Sequence, residues 1–551
     1  MSFNPKLFMP AALFAFAGSV AAAGPEHPAI TRTGAVLQQT ALQHNPATLR
    51  ALALLRTSDG ASNAHVSTRD EFLVRDLLVD KDGTEHVRFD RTYAGLPVIG
   101  GDFVVHSRNG KLKATSQSQR SALNLSTRAT VKAADAIVNA GVEFGSDFVG
   151  MPTASLVVYA RDPGAPKLAW QVALHGFDNV GGAIDSMYMV DAHSGKILDR
   201  WSTIETQRAR GAVCLSTDNT PATGTGKTLY SGNVAIGTTA CGASFDLKDQ
   251  ARGRNYVTDL GNAATGKGKI FNDADNVFGN NAADDRASAA ADALYGAERT
   301  WDYYRDVHGR LGINNDGVGA LNRVHAGYGY ANANWSDACF CMTYGDGDGF
   351  EIGPLVALDI AAHEISHGVT SRTARLIYSR ESGALNEANS DILGTMVEFS
   401  ANNPLDTPDY LIAEKIFISN PGNTKALRWM YKPSLDGLSP NCYSSNIGQL
   451  DVHFSSGVAN HFYYLLAEGS GPKTFSGVDH TSPTCNGSSL AGITRAKAEK
   501  IWYRALTVYF TSNTGFAGAR AATISASNDL YGVNSVESRA VAATWAAVKV
   551  N

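Results

Sequence analysis

Hydrophobic residues recur along this chain with two periods, and the change from one to the other comes near the middle. The front part alternates apolar and polar positions. "HVRFDRTYAGLPVIGGDFVVHSRNGKLKATS" (86–116) reads as strands interrupted by Gly95-Leu96-Pro97, Gly100-Gly101 and the hairpin pair Asn109-Gly110. "KLAWQVALHG" and "DSMYMVDAHSGKILDRW" repeat the pattern around a turn at His193-Ser194-Gly195, and "TVKAADAIVNAGVEFG" between these regions has helical spacing. Two small α+β units in series are predicted. A Gly/Thr-rich strand-and-turn region then runs to about residue 280. Beyond it "ASAAADALYGAERTWDYYRDVHGRLG" predicts a long Ala-rich helix, and helical spacing follows at 353–373, 385–401, 457–467, 493–510 and 535–549. A β-rich part followed by an α-rich part predicts two lobes with a cleft between them, where sites commonly lie.

Length and composition sharpen this picture. The 551 residues exceed what one core usually serves and suggest roughly three or four domains. A net charge of −5 carries no basic footprint for nucleic acid or a membrane surface. The first residues, "MSFNPKLFMPAALFAFAGSVAAAGPEHP", hold one early lysine, a short apolar run and small residues at Ala21 and Ala23. They read as a secretory signal (1–23), so export is expected, with no membrane span. All six cysteines (Cys214, Cys241, Cys339, Cys341, Cys442, Cys485) then suit disulfides in an oxidising compartment. Spacing does not fix their pairing. Local closure favours Cys214–Cys241, Cys339–Cys341 and Cys442–Cys485.

Candidate chemistry concentrates in "LDIAAHEISHGVTSR" (358–372). His363 and His367 stand four apart and share a helix face, so both imidazoles can serve one ion. Glu364 is turned toward the place a metal-activated water would take, where a carboxylate can remove its proton. A third ligand is available in "GALNEANSDILG": Glu387, twenty residues beyond His367, with Asp391 one turn later to orient a ligating ring. The metzincin pattern is excluded, because Thr370 and Thr373 stand where its glycine and third histidine belong.

Together with "AAHEISHGVT", "LIYSRESGALNEANSDILGTMVEF", "YGDGDG" and "LDVHFSSGVANHFYYLLA", these residues make the chain resemble the thermolysin-like zinc metallopeptidases, nearest the pseudolysin and vibriolysin branch. The resemblance implies an α+β, two-lobed catalytic domain (206–375 and 376–551) behind a two-part α+β propeptide (24–205, divided at about 125) that assists folding and inhibits. The processing bond is expected between about Ser202 and Lys227. It implies His363, His367 and Glu387 as zinc ligands, Glu364 as general base, and Tyr378 with His453 as oxyanion donors, His453 being held by Asp451. Asn332 and Ala333 would bind substrate main chain, and Arg428 a substrate carbonyl. Ile360, Ile412 and Leu427 would line a pocket for a bulky apolar residue after the scissile bond. Structural calcium is implied at Asp359, Glu398, Asp409 and the carbonyl of Leu411, with Thr395 at a position that is often acidic. Asn334 departs from the family's usual aromatic residue. The function expected is a secreted endopeptidase, monomeric when mature, acting on proteins and peptides. A binding protein on the same scaffold would lack one of these polar positions, and an exopeptidase would need an anchor for a chain terminus.

Overall fold

The computed structural model describes residues 39–145, 148–161, 164–177, 183–203, 220–420 and 424–551. The expected signal segment and most of the expected processing region, 202–227, lie outside the described residues.

The first unit begins with a helix, Pro46–Leu55, started by Pro46 and by Asn45, whose side chain accepts from the Ala47 amide. Its apolar face covers an antiparallel sheet of β1 (Asp70–Val79), β2 (Thr84–Tyr93), β3 (Leu96–Ile99), β4 (Phe103–Arg108) and β5 (Lys111–Gln117). Alternation sorts the strands' two faces. Val87, Phe89, Phe103 and Val105 point into this unit's core, while His86, Arg88 and His106 point the other way and are nevertheless buried. The second unit packs helix Ala133–Phe144 on β6 (Thr153–Tyr159), β7 (Lys167–Phe177), β8 (Ala183–Asp191) and β9 (Ile197–Ser202). The two units keep separate cores but share one nine-stranded sheet, because β3 pairs in parallel with β6 at Val98↔Val158 and Ile99↔Tyr159. Alternation along each strand says nothing of this join.

From residue 220 onward a five-stranded sheet and a six-stranded sheet lead into the helical part. The helix Arg286–His308 buries Ala289, Ala290, Ala291, Ala293 and Ala297, and these small side chains let neighbours approach closely. At Gly296 a Cβ would come within 2.4 Å of the Ala361 methyl, which is how the helix Leu358–Ser371 lies tight against it. That helix packs in turn on Arg380–Ala401, where Gly394 admits the carbonyl of Asp359. One apolar core runs through both lobes.

Helix ends differ from the periodicity. Residues 353–357 are non-helical, since Pro354 disfavours the helical conformation before it and removes a donor. The Arg380–Ala401 helix starts a turn earlier than its apolar spacing suggests, because Arg380, Glu381 and Ser382 form a polar first turn. The segment 493–510 is an α-helix, Arg495–Arg504, followed by a wider turn, Ala505–Tyr509. A further helix, Phe516–Tyr531, escapes the pattern because small residues such as Ala519, Ala522 and Ala526 form its buried stripe. Disulfides join Cys339 to Cys341 and Cys442 to Cys485; Cys241 is also bridged, and Cys214 lies outside the described residues. Among the described residues no helix is long and apolar enough to cross a membrane.

Candidate active site

Two neighbouring helices bring three side chains to one point. His363 and His367 project from one face of Leu358–Ser371, with their Nε2 atoms 3.0 Å apart. Glu387, fully buried on the adjoining helix, places its carboxylate 3.5 Å from His363 Nε2 and 3.3 Å from His367 Nε2. The far side of each ring is already committed. His363 Nδ1 lies 2.9 Å from Asp391 Oδ1, and His367 Nδ1 lies 2.8 Å from the side-chain oxygen of Asn386. With both Nδ1 atoms donating, two Nε2 lone pairs converge on Glu387, whose Oε2 is buried without a hydrogen-bond partner. Two facing lone pairs and an orphaned carboxylate oxygen repel unless a cation lies among them. The donor set, two imidazoles and one carboxylate, suits a catalytic zinc. Without a cation the conflict is relieved by a proton instead: against burial, the hydrogen bond and charge of Glu387 push the His367 pKa up to about 9, so the pocket itself favours positive charge. Asn386 was not among the sequence candidates; its place one residue before Glu387 was the available signal.

Glu364 faces the same cleft with 6% exposure, and burial raises its pKa against the opposing pull of His363 and His367. Across from it, the Tyr378 hydroxyl donates to Glu387 and lies 3.1 Å from His453 Nε2. His453 Nδ1 is 2.8 Å from Asp451 Oδ1. Because the single hydroxyl proton of Tyr378 goes to Glu387, the ring must donate at Nε2 as well as to Asp451, which makes it an imidazolium. The charge of Glu387 and then the Asp451 hydrogen bond raise the His453 pKa against burial.

Arg428 grips Asp391 through Nε and Nη2, both at 2.7 Å, and Asn460 donates to the same carboxylate at 2.8 Å. Burial would lift the Asp391 pKa, but Arg428 and His363 together hold it well below the usual carboxylate range. The cleft, about 1150 Å³, is lined by these groups and by Ile360, Ile412 and Leu427. One wall is the strand Ala333–Ser336, at the edge of its sheet, with Asn332 just before it. Asn334 lies on that strand and its amide donates to the Tyr330 hydroxyl. The cleft is also lined by Asp199 to Thr203, from the end of the second N-terminal unit.

A second acidic group lies behind the first. Glu398, Asp406 and Glu414 bring carboxylate oxygens within 4.8 Å of one another, with Asp359 and Asp409 beside them, all buried. Both oxygens of Glu398 and one of Asp406 have no hydrogen-bond partner. Burial first, then mutual repulsion, raises Glu398 and Glu414 well above the carboxylate range, and burial together with Asp406 takes Asp359 up to about 6. Asp406 and Glu414 were missed from sequence; the acidic spacing of "DTPDYLIAEK" was the visible trace. Thr395 offers no carboxylate and donates to the Met430 sulfur.

Comparison with known proteins agrees with this geometry. Family models match at residues 223–371 (thermolysin metallopeptidase, catalytic domain), 374–550 (thermolysin metallopeptidase, alpha-helical domain) and 70–118 (fungalysin/thermolysin propeptide motif). A transglutaminase-activating metalloprotease of Streptomyces mobaraensis is 44% identical over 90% of this chain, and the chain spans 63% of that relative's length. Bacillolysin of Bacillus cereus is 37% identical over 88% of this chain and 86% of its own. Thermolysin of Alicyclobacillus acidocaldarius subsp. acidocaldarius is 36% identical over 86% of this chain and 84% of its own. The chain belongs to the thermolysin family of zinc metallopeptidases, carried as a precursor with its propeptide motif.

Proposed function

We propose that this chain is an exported endopeptidase that cleaves peptide bonds before bulky apolar residues, and that residues 24–205 are a removable inhibitory propeptide ahead of a catalytic unit at 206–551. The observation that carries the reading is the convergence of His363, His367 and Glu387 beside a buried Glu364 in an open cleft. His363, His367 and Glu387 would hold zinc; when bound, zinc polarises a carbonyl and makes water a better nucleophile at neutral pH. Glu364 takes the proton of the attacking water and passes it to the leaving amine. Tyr378 and His453 would turn their O–H and Nε2–H from Glu387 and Tyr378 toward the charge that develops on the carbonyl oxygen. Asn332 and Ala333 pair with the extended substrate as an added strand. Arg428, held by Asp391, presents its remaining nitrogen to a substrate carbonyl, while Ile360, Ile412 and Leu427 receive the apolar side chain. The Glu398, Asp406 and Glu414 group, with Asp359, Asp409 and the Leu411 carbonyl, would hold calcium, because hard oxygen donors from separate segments suit that ion. Export is supported by the first 23 residues.

Replacing Glu364 with Gln tests the reading, since it keeps the side chain's shape and removes the base. Casein hydrolysis should fall by about three orders of magnitude or more with zinc content unchanged, given what a positioned base contributes. Full activity in the variant would refute the assignment.

A further inference from the structure

The outward face of the first unit's sheet carries a histidine pair that the reaction does not use. His86 on β2 and His106 on β4 are direct cross-strand partners. They are 4% and 3% exposed, and their Nδ1 atoms lie 2.6 Å apart. Both belong to the face opposite this unit's own core. What buries them is the catalytic unit: the Tyr509 ring lies 4.9 Å from that of His106, tilted by 35°, and Arg504 lies 3.3 Å from His86 Nε2. The same contact is extended by Arg88, which donates to the carbonyl of Phe510 at 2.7 Å, and by Asp102, which accepts from the Ser512 amide at 3.2 Å.

Proton counting around the pair gives one neutral solution. His86 Nε2 donates to Asp80 at 2.9 Å, His86 Nδ1 accepts from His106 Nδ1, and His106 Nε2 accepts from Ser116 at 2.8 Å. One added proton can be housed: His86 then donates from Nε2 to Asp80 and from Nδ1 to His106 Nδ1, while His106 carries its own proton on Nε2 and donates it to Ser116. A second proton places N–H against N–H at 2.6 Å, with no acceptor between.

We propose that the His86–His106 pair is an acid-sensitive latch between propeptide and catalytic unit, closed near neutral pH and loosened below about pH 6.5, the ordinary histidine value. The proposal rests on the reading of residues 24–205 as an inhibitory propeptide. Once the units part, both rings face water and each can take a proton, so release is coupled to uptake of at least one. The surrounding charges do not cancel this. On the catalytic side Arg504 is bound to Asp80 and Asp529, and Tyr509 donates to Asp529. On the propeptide side Arg88 and Lys113 act on His106 with positive charge. Burial, then His86 and those cations, holds His106 well below its ordinary value; burial also lowers His86, against the opposing Asp80. The sign follows: groups whose pKa is depressed while docked destabilise docking as pH falls through the free value, by about tenfold per pH unit for each proton taken up.

The test uses the full chain with Glu364→Gln, which cannot process itself. Hydrogen exchange is followed at peptides covering 505–515, including the Ser512 amide, and corrected for intrinsic exchange. The opening equilibrium should rise about tenfold between pH 6.5 and pH 5.5. Adding His106→Asn, or His86→Gln should the first variant not fold, should reduce that rise to less than about twofold. A flat profile in the parent chain, or an undiminished rise in either variant, overturns the latch. Neither result touches the protease assignment, which stands or falls on casein cleavage.

Discussion

At the scale of single residues, Asp391 joins more of the site than any other side chain. One carboxylate accepts from His363, from Nε and Nη2 of Arg428 and from Asn460, so it fixes a proposed metal ligand and a proposed substrate contact together. Asp391→Asn keeps the shape but loses the charge that Arg428 and His363 need. Zinc affinity, measured by competition with a chelator, should fall about 10–100-fold. An unchanged affinity would mean that the His363 ring is oriented by packing alone. Residues of this kind were legible when one helical turn contained them. His363, Glu364 and His367 needed only the period of the helix, and Glu387 with Asp391 needed it once more. The roles of Tyr378, His453 and Arg428 came from resemblance, because a phenol in a bend, an imidazole in a single helical turn or a guanidinium in a two-residue strand has no period to betray it. Asn386, Asp406 and Glu414 were not found at all, since their significance lies in contacts between segments.

Among the elements, the loop from Asp406 to Glu414 is tied to two helices by carboxylates that repel one another. Lys415 lies 3.7 Å from Asp406 and offsets part of this charge. If calcium balances this charge, removing it should destabilise the loop and both helices it touches. Melting temperature measured with and without a calcium chelator, on the Glu364→Gln chain so that autolysis does not interfere, should fall on removal, the stability lost being what binding contributes, about 2.7 kcal/mol at a hundredfold excess over Kd. Without the ion, Asp359 and Asp406 are both pushed up to about 6, above the ordinary carboxylate value. Folded protein then binds more protons than unfolded, so the chelated form should gain stability as pH falls from about 7.5 to 5.5. A melting temperature indifferent to calcium would contradict this. Element boundaries show the limit of sequence patterning here: strand and long-helix positions followed from alternation, whereas the small-residue helix Phe516–Tyr531 and the join of β3 to β6 depended on packing partners.

Across the whole molecule, two N-terminal units with their own cores share a sheet, and one face of that sheet lies on the segment 504–512 while its last strand reaches the cleft. Arg161 shows how closely the parts are fitted: fully buried, it donates to Asp199 in its own unit and to Ser379 and Ser382 at the start of the Glu387 helix. The order of the parts along the chain was legible from texture and cysteine content; their docking was not, because it uses polar groups scattered over the chain. Every proposed activity depends on a metal at the junction of the two catalytic helices. The most direct measurement is anomalous diffraction at the zinc edge from crystals of the Glu364→Gln chain. A single strong peak is expected about 2.0–2.2 Å from Nε2 of His363, Nε2 of His367 and the Glu387 carboxylate. A zinc-replete protein with no peak at that point, or with its peak on other residues, would contradict the account.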